Sequence, residues 1–135
     1  MILYAAYLIA PVIYGVAMVG FAMTGWAGIL DDPGMATWLV PVAFMALAIV
    51  IMLTREKGTA IVFNQAINTG GTVVDGLSAA HVLRLLLNEA IAVMGLVGYL
   101  MLGNITLAAP FVALGIAALY RSRPDKGQWL EGSSL

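Results

Sequence analysis

The sequence predicts an all-α integral membrane protein of four spans. Three observations predict it: apolar residues far outnumber charged ones, the apolar runs have bilayer-crossing length, and every basic residue falls on one side of such a fold. The chain has 135 residues, 62% of them hydrophobic and 10% charged. A soluble domain is roughly 45–50% apolar and about 25% charged. A domain this small has too much surface for its volume to hide so many apolar side chains from water. Lipid is therefore the expected solvent for much of that surface.

A helix rises about 1.5 Å per residue, so about 20 apolar residues cross a hydrocarbon core of about 30 Å. The first run, 2–25, carries no charge, and Pro11 lies inside it. It lacks the basic start of a signal peptide and is too long for one, so it reads as the first span. Asp31, Asp32, Pro33 and Gly34 then mark a loop. The second span is expected over 35–54, ending at Arg55-Glu56-Lys57-Gly58. Segment 59–80 mixes Ile61, Val62, Phe63 and Ile67 with Asn64, Gln65, Asn68, Thr69 and Asp75. It reads as a short interfacial helix over 59–68, then a turn containing Gly70-Gly71, with Asp75 starting the turn before the next helix. The third span is expected over 82–102, Gly103-Asn104 breaks the chain, and the fourth span covers 105–120. Residues 1–126 thus form one transmembrane domain. Residues 127–135 form a tail whose last six, Leu130 to Leu135, look appended.

Positive charge sets orientation. With four spans, Arg55, Lys57, Arg84, Arg121, Arg123 and Lys126 all lie on one side, which predicts N-in, C-in topology in a cell inner membrane. Trp26 and Trp38 suit the outer interface, Tyr120 and Trp129 the inner one.

Several function classes find no support. The net charge of −1 argues against a nucleic-acid partner. One histidine and no cysteine make a single-chain metal or haem site improbable, and no cofactor is expected. Gly70-Gly71 lacks the lysine of a phosphate-binding loop. No nucleophile, histidine and acid set suggests an enzyme.

The third span carries the chemistry. His81, Arg84, Asn88, Ala92, Gly95 and Tyr99 follow three- and four-residue spacing and share a face. That face is polar at one end and small further in, so it should meet protein rather than lipid. Glu89 lies five residues past Arg84, about 7–8 Å deeper. Its functional reading is an ion- or proton-binding carboxylate, with Asn88 and Arg84 as neighbours. Its structural reading is an ion pair with Arg84 of the same or another chain, or contact with interfacial water. His81 is a candidate pH-sensitive group or an inert interfacial one. Gly20, Thr24 and Gly28, and likewise Ala109, Ala113 and Ala117, repeat at four-residue spacing. Such stripes suit close helix contact within or between subunits.

The stretch Asn88-Glu89-Ala90-Ile91-Ala92-Val93-Met94-Gly95-Leu96-Val97-Gly98-Tyr99 resembles the carboxylate-bearing helix of rotary ATPase proteolipid (c) subunits. That likeness covers about one span and implies an ion-carrying role for Glu89. The first spans and segment 59–80 depart from that family. The whole chain resembles uncharacterised small four-helix bacterial membrane proteins with a glutamate-bearing third span, a Gly-Asn turn and an Arg/Pro tail. That resemblance implies fold and oligomeric habit. The expected function is a small homo-oligomeric, ion- or proton-linked membrane protein. The alternatives are an accessory or scaffold subunit of a larger membrane complex, and a lipid-interacting protein with 59–68 lying on the bilayer.

Overall fold

The computed structural model describes residues 2–30 and 34–123. The expectations for Asp31, Asp32, Pro33, Lys126, Trp129 and the tail lie outside the described residues. The described chain forms α1 (Ile2–Met23), α2 (Ala36–Asn68), α3 (Val73–Leu102) and α4 (Ile105–Arg121). Three of these, α1 to α3, are long and apolar enough to cross a membrane, and α4 is a shorter apolar helix of 17 residues. The all-α expectation is thus met.

The boundaries of the middle helices correct the sequence reading. No separate helix covers 59–68, because α2 runs unbroken through Arg55-Glu56-Lys57-Gly58 for 33 residues. Arg, Glu and Lys are good helix formers, and one interior glycine costs only about 1 kcal/mol. Arg55 and Glu56 also find partners on α3, described below, so the helix has no reason to stop. α3 begins at Val73, nine residues before the expected start of the third span. Thr72 caps it. Its hydroxyl accepts the Asp75 N–H, while the Asp75 carboxylate accepts the Thr72 N–H at 2.8 Å. Asp75 therefore belongs to the first turn of α3 and closes a capping box there. The expected glycine turn is present, with Gly70 at φ 88°.

α2 and α3 form a long antiparallel hairpin. Phe44 packs on Gly98, Gly58 on Leu83 and Phe63 on Gly76 along its length. By helical rise α2 and α3 are about 50 and 45 Å long, well beyond one hydrocarbon thickness.

α3 is the central helix, packed by each of the others. Small residues bring α4 close. A Cβ on Gly95 would lie 2.9 Å from the Ala108 carbonyl oxygen, and one on Gly115 would lie 2.6 Å from the Ala92 Cβ. Ala92 and Gly95 therefore do serve helix packing. α1 completes a core of Met18, Tyr99, Ala108 and Val112. The segment after α1 crosses the end of α3, where the Ile29 and Leu30 N–H groups donate to the Leu100 and Met101 carbonyls at 2.8 and 3.2 Å. These would otherwise be unsatisfied helix-end carbonyls. Gly28 sits in this contact, so it too packs.

The other packing expectations are not met within the chain. Gly20 and Thr24 are exposed, and a Cβ on Gly20 would meet nothing. Ala109, Ala113 and Ala117 face outward, while α4 buries Ala108, Phe111, Val112, Gly115, Ala118 and Leu119. The branched and aromatic side chains on that second stripe bury more apolar area than alanines can, and they decide which face turns inward. The exterior is apolar: Val16, Trp38 and Leu53 are 68, 71 and 73% exposed.

Candidate functional site

Near one end of the bundle, polar side chains of α1, α2 and α3 and the C-terminal end of α4 gather in a layer. Asn88 of α3 is its centre and is fully buried. Its Oδ1 accepts from Arg55 Nη1 of α2 at 3.1 Å. Its Nδ2 donates to Ser122 Oγ at 2.8 Å and to the Ala118 carbonyl at 3.3 Å. One amide thus ties α2, α3 and the end of α4 together. A buried amide needs such partners, because lipid and packed hydrocarbon offer none.

Arg84 donates to Glu56 of α2 at 2.7 Å. Glu56 also lies 3.3 Å from the Arg55 Nε, close enough for an ion pair although not aligned for a hydrogen bond. The Arg84–Glu56 pair is partly exposed, so water screens it.

Glu89 stands apart from these arginines. Its Oε1 accepts from the Tyr14 hydroxyl of α1 at 2.8 Å. The expected structural pairing of Glu89 with Arg84 in the same chain is absent, because Arg84 turns to Glu56 on the other side of α3. Of the predicted residues, then, Asn88 is buried in the layer, Arg84 lies at its edge, and Glu89 faces α1. His81 is half-buried one turn before Arg84. Among the described residues, no three His, Asp or Glu side chains converge as a metal site.

Sequence reasoning missed Tyr14, Arg55, Glu56 and Ser122. Arg55 and Glu56 looked like the end of a span. Their role follows only from the hairpin register, which sets 55 and 56 beside 88 and 84. Tyr14 had a faint signal as a polar-tipped aromatic inside an uncharged run. Glu56 is the carboxylate that the two arginines share, 3.3 Å from Arg55 Nε and 2.7 Å from Arg84 Nη2.

Three helices of spanning length and an apolar exterior mark the chain as a helical membrane protein. No protein-family model, curated protein or solved structure matches it.

Proposed function

We propose that the chain is a four-span, N-in, C-in inner-membrane protein that works as a homo-oligomer and binds a proton or small cation at Glu89. The Tyr14–Glu89 hydrogen bond carries this reading. It holds a carboxylate inside the third span, with no arginine on it and a neutral donor beside it. A carboxylate so held keeps acceptor capacity for a proton or cation, whereas one locked to a guanidinium does not. Asn88, Arg84 and Arg55 act as the neighbouring framework that fixes α3. The local resemblance to proteolipid subunits points the same way. α4, at 17 residues, sits at the short limit for a span. Its outward Ala109, Ala113 and Ala117 offer a close-packing stripe to another subunit.

A second reading, an accessory subunit in a larger membrane complex, draws on the buried Asn88 junction and the broad exposed apolar face of α2. Proteoliposomes separate the two. Wild type should pass protons or sodium, and Glu89→Gln should lose that flux at unchanged oligomer size. No flux in either protein, with the mutant falling apart, would overturn the ion-linked reading.

A further inference from the structure

α4 carries a stripe that the polar layer does not use. Val112, Ile116 and Tyr120 recur every four residues and share a face. Val112 and Ile116 join Pro11, Gly15, Val16 and Val19 of α1 around an open groove of about 370 Å³. Gly15 hollows its floor: the nearest atom to a Cβ there would be Val112 Cγ1, 3.8 Å away. Every residue named is apolar, and the groove opens on the exterior. Toward the end of the bundle that holds the described basic residues, the stripe continues to Tyr120, which is 60% exposed. The Arg123 guanidinium stacks on that ring, 5.4 Å from its centroid.

We propose that this groove seats an acyl chain of one anionic phospholipid, with the lipid phosphate met by Arg123 at the mouth. The order of surfaces fits that occupant: an apolar channel at membrane depth, an aromatic ring at the interface, then a fixed cation. A second copy of the chain fits less well. Neither α1 nor α4 holds an acidic residue, so packing of these two helices on their copies would set no helix carboxylate against Arg123. Arginine offers phosphate a bidentate fork, and its stacking on Tyr120 orders that fork in advance. The inference needs only that the protein resides in a bilayer, and it is independent of any role for Glu89.

Native mass spectrometry of delipidated protein tests it, with phosphatidylglycerol or phosphatidylcholine of identical chains added back. Wild type should retain one phosphatidylglycerol, preferred about fivefold over phosphatidylcholine, the factor expected for one basic residue near a membrane surface. Arg123→Ala should abolish the preference while still binding either lipid weakly. Val16→Trp fills the groove from an exposed position, so it should bind neither lipid at unchanged thermal stability. Equal retention of the two lipids by wild type, or a preference that survives Arg123→Ala, would overturn the proposal. A wild-type dimer that Val16→Trp splits without changing lipid retention would assign the groove to a second copy and equally overturn it.

Discussion

Replacing Asn88 by leucine should destabilise the bundle by about 2–3 kcal/mol. Leucine keeps the branching of asparagine at Cγ but is bulkier, so overpacking at this fully buried site adds to the polar loss worked out below. Three hydrogen bonds disappear, from Arg55, to Ser122 and to the Ala118 carbonyl. Interhelical hydrogen bonds in membranes average about 0.6 kcal/mol and reach about 1.7. Three of them give about 2 kcal/mol. The Arg55 guanidinium then loses a partner while its side chain is only 18% exposed, which adds a desolvation cost that its Glu56 contact partly offsets. The assay is the folded fraction of purified protein in mixed micelles titrated with a denaturing detergent. The double variant Arg55→Met with Asn88→Leu should lose about 1 kcal/mol less than the sum of the single changes, because the unpaired cation is gone. A loss below about 0.5 kcal/mol for Asn88→Leu, or strict additivity in the pair, would refute the reasoning that this amide is the junction of three helices.

Other substitutions follow from the same geometry. Gly103 has φ 64° and any Cβ there would collide with the Ala27 carbonyl, so Gly103→Ala should cost about 2–4 kcal/mol in the same titration. Gly115→Leu should force α3 and α4 apart and cost at least about 1–3 kcal/mol, read also as loss of α4 protection in hydrogen exchange. Arg84→Ala removes a partly exposed pair with Glu56 and should change stability by less than about 1 kcal/mol, a sharp contrast with Asn88. If the outward alanine stripe joins subunits, Ala113→Trp should shrink the particle in size-exclusion chromatography with light scattering while the helical content stays the same.

Much of this fold was legible because a bilayer demands long apolar runs, and such runs are visible without a partner. The Gly70-Gly71 turn, the Gly103-Asn104 break and the packing role of Ala92 and Gly95 were all readable from local chemistry. The continuous α2 was not. Arg55 and Glu56 look like a membrane boundary when read alone, and only their partners on α3 explain why the helix continues. The outward turn of Ala109, Ala113 and Ala117 was hidden for a similar reason. Two stripes of α4 could pack, and competition for α3 decides between them. In the candidate site, the importance of Asn88 and Glu89 could be read from charge and polarity within an apolar helix. Their partners Tyr14, Arg55 and Ser122 lie 33 to 75 positions away and become neighbours only through helix register.

The central claim is that Glu89 exchanges a proton or cation while Tyr14 holds it. Infrared difference spectroscopy of the reconstituted protein addresses that group itself, comparing wild type with Glu89→Gln across a step in pH and a step in sodium. The account predicts a carboxyl band that responds to one of the two steps, shifts in frequency when Tyr14→Phe removes the hydrogen bond, and vanishes in Glu89→Gln. Identical difference spectra in wild type and Glu89→Gln for both steps would contradict it and leave Glu89 a structural residue.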